Sequence, residues 1–412
     1  MPDLPAVTAA EPTVSAPCPP RLKSVDALRG FDMFWIIGGE QVAKALEKVG
    51  GGPVVSAIAT QLQHVEWEGF HLFDAIFPLF LFLVGVAIVL SLNPARMEGG
   101  RKSALIRTAR RSALLFGIGV LYYGGVTREW PDIALSGVLH RIALCYLVAA
   151  TLHLFLPRRG IAIAASVCLA GYWALLTFVP FPDVNLKHPT IGKKGTQASA
   201  KTPDELFAGA TMTRGTFDEG RNFAHYVDAT ALPGKKRNLY YTNEGLLSTI
   251  PAVATTLFGI MAGWVLTAAG WSERKKVVWL LGAGAAGVAL GFLWGLQFPI
   301  IKRIWTSSFC LVASGVSAMA LGLFYLIVDV WRWQRWCVPF LWIGANALTV
   351  YLAVNVVDFE ELAARFVGGD LKALLDFRIA PGLGGLVIAL VGLLLPVLLV
   401  RFLYQRKIFI RL

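Results

Sequence analysis

Charge is what this chain has least of. Only 16% of its 412 residues are Asp, Glu, Lys or Arg, whereas 56% are hydrophobic, and mean hydropathy is +0.61. A soluble domain carries nearer a quarter charged residues, so that class is excluded. Cysteine is scarce too, with five in all. Cys145, Cys168 and Cys310 fall inside apolar runs, Cys337 at the edge of one and Cys18 in the leading tail. No spacing among them marks a zinc site or a disulfide framework, and no metal is expected. Residues 1–20, rich in Ala and Pro, lack the basic-then-apolar order of a signal peptide and read as a disordered tail. No internal repeat is visible, which weakens an inverted-repeat transporter reading.

What the chain has in abundance is apolar runs. Ten of them approach or exceed the length of about 18–20 residues that crosses a hydrocarbon core of about 30 Å. They lie roughly at 25–46, 74–92, 104–125, 137–156, 161–180, 245–269, 276–297, 308–330, 338–357 and 381–403. The pattern predicts an all-α polytopic membrane protein of about ten transmembrane helices (ten or eleven), with residues 21–412 forming one domain in the bilayer. The first run is interrupted by Asp26, Arg29, Asp32, Glu40 and Lys44.

The formal net charge of +12 raises the possibility of a nucleic-acid partner, but its distribution argues against one. Lys and Arg gather in short connectors such as "RMEGGRKSALIRTARR", "PRRG", "SERKK" and "YQRKIFIRL". That is the positive-inside pattern of a membrane protein. The connectors after the second, fourth, sixth and eighth runs are therefore expected in the cytoplasm, together with both termini. Segments 47–73, 126–136, 181–244, 298–307 and 358–380 are then extracytoplasmic. The longest, 181–244, is expected to cover the extracytoplasmic face as a lid or substrate surface.

Ionisable side chains crowd one span entrance, "QHVEWEGFHLFDAIFPLFLFLVGV". A helix running from His64 into the second span would set His64, Trp67, Glu68, His71 and Asp74 on one stripe, at spacings of three and four. Pro78 would bend or interrupt it a turn later. An imidazole with a carboxylate neighbour is the common way to build a general base. The plainer alternative is an interfacial belt, where Trp and His are frequent. His64, Glu68 and His71 as metal ligands are a weaker option, because H-x3-E-x2-H is not a diagnostic spacing.

Further candidates stand elsewhere. In "RLKSVDALRGFDMFW", Asp26, Arg29 and Asp32 are spaced as an ion-pair ladder with a structural role. In "YYTNEGLLSTIPAVATTLFG", Glu244 opens a span, and Ser248, Thr249, Thr255 and Thr256 read as hydroxyls bonded back to their own helix. His140 and Arg141 at the start of the fourth span, and Arg111 inside the third, are candidates for buried polar groups.

Taken together, the motifs resemble the transmembrane acyltransferase family of heparan-alpha-glucosaminide N-acetyltransferase and its bacterial homologues. "RLKSVDALRG", "HVEWEGFHLFDAIFPLFLFLVG", "SGVLHRIALCYLV", "NEGLLSTIPAVATTLFGIMAGWVL", "LWIGANALTVYL" and "RKIFIRL" carry the resemblance in order. It implies transfer of an acetyl group from cytosolic acetyl-CoA to a glucosamine-type amine across the membrane, and a homodimer. It also implies catalytic roles for His64, Asp74 and Glu244, with His64 as base or transient acetyl carrier. Trp67, Glu68, His71 and Asn346 become substrate-binding candidates. Arg107, Arg110, Arg111, His140 and Arg141 become candidates for holding acetyl-CoA. His140 departs from the lysosomal enzyme, which has glutamine there, and the segments 47–63 and 181–244 differ as well. The acceptor therefore stays open. Two other functions remain: an amino-sugar transporter with a His and carboxylate proton relay, and an O-acyltransferase acting on an envelope glycan. The lack of a targeting pattern leads to a bacterial inner membrane as the expected location.

Overall fold

A computed structural model describes residues 22–50, 52–92, 100–127, 129–183, 207, 209–236, 238 and 240–409. The expected tail at 1–20 and part of the 181–244 segment, residues 184–206, lie outside the described residues. The chain forms α1 (Lys23–Val49), α2 (Gly52–Gln61), α3 (Ile76–Ser91), α4 (Gly100–Tyr122), α5 (Val138–Phe155) and α6 (Arg158–Phe178). Two small hairpins follow, β1 (Phe181–Pro182) with β2 (Met212–Thr213), and β3 (Phe217–Asp218) with β4 (Arg221–Asn222). Then come α7 (Phe223–Ala231), α8 (Thr249–Leu266), α9 (Glu273–Gly295) and α10 (Ser307–Phe324). The last helices are α11 (Val338–Ala345), α12 (Ala347–Val356), α13 (Phe359–Val367), α14 (Gly369–Arg378) and α15 (Leu383–Gln405).

Among the described residues seven helical segments are long and apolar enough to cross a bilayer, or eight if the bent pair α11–α12 is one span. The ten runs expected from sequence thus find seven or eight counterparts of that quality. The remaining two runs correspond to α1 and α4, which have the length but not the composition. α1 carries Asp26, Arg29, Asp32, Glu40 and Lys44, and α4 opens on Arg101, Lys102, Arg107, Arg110 and Arg111.

Small residues let the helix backbones touch, the usual basis of packing where no hydrophobic gain separates helix from lipid. Gly85 of α3 and Gly259 of α8 sit at one crossing, where an added Cβ on Gly259 would overlap the Phe82 carbonyl. Gly30 of α1 and Gly344 of α11 form a second crossing, and Gly284 of α9 with Gly315 of α10 a third. Substituting Gly259 by Val should therefore leave no well-folded protein. The expected result is loss of the monodisperse peak in detergent size-exclusion chromatography, whereas Gly171→Ala, on an open helix face, keeps it.

The α11–α12 pair bends by 78° at Asn346. Unwound backbone at that depth is tolerated where it lines a cavity, and a cavity of about 610 Å³ lies beside it. Gly344, Ala345, Ala347 and Leu348 form part of its wall. The cavity reaches from Phe77 in the first turn of α3 to Ser91 at its last residue. At 1.5 Å per residue that is about 21 Å along the bundle. Arg29 and Arg111 line it, while most of its surface is apolar.

The hairpins, α7 and the connector "FPIIKRIWT" (298–306) gather at one end of the bundle, which they share with the start of α3. The end carrying the short basic connectors is the opposite one.

Candidate active site

The segment between α2 and α3 is not helical, so the expected stripe from His64 to Asp74 does not exist. Residues 62–71 form turns and a bridge, Leu72–Ala75 is a short 3-10 turn, and α3 begins only at Ile76. Two residues explain this. Gly69 adopts φ +124°, a backbone conformation open to glycine, and its N–H donates to the Ile300 carbonyl at 2.8 Å. Pro78 falls in the first turn of α3, where a missing N–H costs nothing; it starts the helix and does not bend it. Glu68 pairs with Ile301 in an isolated antiparallel bridge.

The irregular segment folds around one carboxylate. Asp74, with a side chain 2% exposed, accepts from His64 Nδ1 at 2.8 Å through Oδ1. Its Oδ2 accepts from the backbone N–H of His71 at 3.1 Å and of Val65 at 3.3 Å. With Nδ1 committed as donor, the His64 imidazole presents Nε2 as its acceptor lone pair. His64 has a side chain 45% exposed, and Nε2 is the ring nitrogen not engaged by Asp74. The Phe73 ring supports the imidazole at 4.7 Å between centroids.

Lys302 completes the cluster, and sequence reasoning missed it. Its ammonium lies 3.1 Å from Asp74 Oδ1, and 2.8 and 3.3 Å from Nδ1 and Nε2 of His64. It stands 238 residues away in sequence. One signal was available: Lys302 and Arg303 are basic residues in a connector that the positive-inside pattern assigns to the extracytoplasmic side. The connector is held rigidly. Thr306 Oγ1 accepts from Ile301 N at 3.0 Å, and Tyr172 donates to the Ile304 carbonyl at 2.5 Å. The fully buried Trp305 adopts φ +53°, a strained conformation that its surroundings must over-determine.

Glu244 lies close enough for its charge to act on both Lys302 and Arg141, and its Oε2 is buried without a hydrogen-bond partner among the described residues. Arg141 is buried and spent on the same loop. It donates to the Asn243 carbonyl at 3.2 Å and to Ser248 Oγ, and lies 5.0 Å over the Trp305 ring. From the other side Asp228 accepts from Leu246 N at 2.9 Å. Burial pushes the Asp228 carboxyl up to about 6, against the pull of those N–H donors.

The other candidates are dispersed. Trp67 Nε1 donates to the Phe217 carbonyl at 3.0 Å, and His71 Nδ1 to the Gln63 carbonyl at 3.0 Å, so both brace the segment. Glu68 is exposed. His140 is buried between Phe116 and Tyr123. Arg107 and Arg110 are exposed on α4. Asp26 and Arg29 form the expected ion pair at 2.8 Å, and Arg29 Nε also donates to the Gly344 carbonyl at 3.0 Å. Asp32 stands apart from that ladder, buried, with neither carboxylate oxygen hydrogen-bonded among the described residues. Asn346 is buried at the α11–α12 bend with both amide atoms likewise without a partner among the described residues. Among the described residues no cluster of three His, Cys, Asp or Glu could hold a metal.

The hairpins bind this assembly through His225 and Glu219. Glu219 joins Arg303 at 2.5 Å and accepts from Tyr241 at 2.7 Å. His225 stacks on Tyr241 at 3.7 Å, and its Nδ1 accepts from Gly220 N at 3.0 Å. Burial, helped by the Arg303 charge, pushes His225 down to about 3. Between about pH 6.5 and 3 the unfolded chain takes a proton that the folded imidazole refuses. His225 thus stabilises the hairpins fully above about pH 6.5 and progressively less on acidification. Asp228 works in the opposite sense, its raised value costing stability as pH rises from about 4 to 6. Thermal unfolding from pH 7 to 4 should therefore show a steeper loss in the wild type than in His225→Gln, which keeps an acceptor but does not titrate. Equal slopes would refute the assignment.

Residues 21–190 match a protein-family model described as heparan-alpha-glucosaminide N-acetyltransferase, catalytic. The heparan-alpha-glucosaminide N-acetyltransferase of Homo sapiens is 26% identical over 381 residues, covering 82% of this chain and 53% of the human protein. The Mus musculus protein of the same name is 25% identical over 378 residues, covering 82% and 54%. The chain spans about half the length of the curated relatives it matches. The resemblance read from the motifs is borne out. His64, Asp74 and Arg141 fall within the matched residues; Glu244, Lys302 and Asn346 lie beyond them.

Proposed function

From the chain's kinship with the heparan-alpha-glucosaminide N-acetyltransferase family, we propose that it is a membrane-embedded acetyltransferase. It moves the acetyl group of acetyl-CoA to the amine of a glucosamine-type sugar. The observation that carries this is the half-exposed His64 imidazole, oriented by a buried Asp74 at the hairpin-bearing end of the bundle.

The basic connectors favour a cytoplasmic position for the opposite end. On that reading α1 and α4 also span, giving ten spans with both termini inside, and the acceptor reaches His64 from the extracytoplasmic side. The inner membrane of a bacterium is the location that follows. A homodimer is carried over from the resemblance alone.

The long cavity supports a cytoplasmic donor. A pantetheine arm needs a path into the bundle, and about 21 Å of largely apolar cavity runs from Ser91 toward Phe77. Arg29 and Arg111 line it, and Arg107 and Arg110, exposed on the same helix as Arg111, are suited to nucleotide phosphates. Asn346, buried between the lining residues Ala345 and Ala347 with no amide partner among the described residues, is the amide assigned to the thioester carbonyl. Glu68 is offered to the acceptor's ammonium. Arg141 and Asp228 hold the Glu244 loop.

In the direct route, His64 Nε2 takes a proton from the sugar ammonium, whose nitrogen attacks the acetyl carbon while the C–S bond breaks and the departing thiolate takes the second proton. In the two-step route, Nε2 itself attacks first, and the acetyl-imidazole passes its group to the amine. An acetyl-imidazole trapped without acceptor marks the second route, and strictly sequential kinetics mark the first.

The bend at α11–α12 is a feature that channels and transporters also use, so the transporter reading has one observation in its favour. Calorimetry separates them. The acetyltransferase binds coenzyme A in nanodiscs, weakened by Arg111→Ala; a transporter binds none. Offering an amine and a hydroxyl acceptor then separates N- from O-transfer.

A further inference from the structure

We infer that Lys302 is a site of self-acetylation, its side-chain amine being placed to take the acetyl group intended for the sugar and so to silence the enzyme. The inference rests on the acyl-transfer reading above. Lys302 Nζ lies 2.8 and 3.3 Å from the two ring nitrogens of His64, the atoms past which the acetyl group must travel. The acceptor in that reading is a primary amine, and Lys302 supplies the same nucleophile beside the imidazole at which the acetyl group is transferred.

Two further features distinguish it from an ordinary lysine. Its connector backbone is fixed by the Thr306 and Tyr172 hydrogen bonds, and the ion pair with Asp74 at 3.1 Å holds the amine against His64. Its side chain is only 23% exposed, and burial pulls it below the usual ammonium range while Asp74 and Glu244 oppose and Arg303 assists. A larger share of neutral amine follows. Lys44, paired with Glu40 and 62% exposed, has none of these properties.

The step balances simply. The ammonium first gives one proton, through His64 to solvent in the thioester route and directly to solvent when His64 carries the acetyl group. The Nζ lone pair then forms a bond to the acetyl carbon of the thioester, or of acetyl-His64, as the C–S or Nε2–C bond breaks. The second proton goes to the departing thiolate or imidazole. The product is a neutral amide beside His64. It removes the positive charge facing Asp74 and fills the space an acceptor amine needs, while Asp74 keeps His64 and two backbone N–H donors.

The test uses the full chain in nanodiscs with trideuteroacetyl-CoA and no acceptor, followed by peptide mass spectrometry. Lys302 should gain label at least about tenfold faster than Lys44 and Lys48, with activity falling in step. Excess glucosamine should suppress the label, and His64→Ala should remove the excess over Lys48. A wild type that acetylates glucosamine while Lys302 labels no faster than Lys48 overturns the inference alone. Equal labelling in His64→Ala overturns it too, because the modification is then uncatalysed. A wild type that neither binds coenzyme A nor acetylates any acceptor overturns the acyl-transfer reading, and this inference with it.

Discussion

Replacing His64 by alanine lowers acetyl transfer by about 10²–10⁴, the range over which a positioned proton acceptor accelerates a reaction. The size of the effect follows from geometry. An amino sugar is largely protonated near neutral pH and has no nucleophilic lone pair until a base removes a proton. His64 is the exposed imidazole in the cluster, with Nδ1 fixed on Asp74 and Nε2 not engaged by it. If the imidazole instead carries the acetyl group, its loss is at least as damaging. The variant should remain folded, because a half-exposed side chain contributes little to the core, and monodispersity with unchanged coenzyme A affinity checks that.

Asp74→Asn is the second large effect, expected at about 10²–10⁴ in kcat with little change in acceptor KM. The substitution keeps the volume but halves the acceptors. Asp74 now serves His64, Lys302 and two backbone N–H groups with two carboxylate oxygens. An amide nitrogen turned toward either set meets donors only. The orienting carboxylate of a catalytic histidine sets the tautomer, and its removal leaves the ring turned or protonated on the wrong nitrogen. Asp74→Glu, which keeps the charge and lengthens the arm, should recover part of the rate. Full activity in Asp74→Asn would show that His64 needs no orienting group.

Much of the fold was legible because apolar runs of bilayer length admit few structures. α3, α5, α6, α8, α9, α10 and α15 fall where the composition put them. α1 and α4 were read from length despite their charges, and the structure shows what some of those charges do: Arg29 ties α1 to Asp26 and to the α11–α12 bend, and Arg111 faces the cavity. The bend itself left no periodic signal, because both halves are apolar on all sides.

The site was legible in kind but not in geometry. His64 and Asp74 meet as expected, through a turn and not along a helix face. The three-and-four spacing was accidental once Gly69 left the helical region. Lys302 was invisible locally, since strand-like pairing of Glu68 with Ile301 brings it in from a distant connector. His225 and Asp228 were hidden for the same reason. A buried histidine that stacks on Tyr241 and a carboxylate that accepts loop N–H groups look, in sequence, like any polar residues of a long loop.

The most direct test places purified protein in nanodiscs with acetyl-CoA and glucosamine and follows N-acetylglucosamine by mass spectrometry, with His64→Ala alongside. The account predicts product from the wild type and none above background from a folded variant. Equal product from both would contradict it, because the chemistry would then lie away from the His64–Asp74 pair.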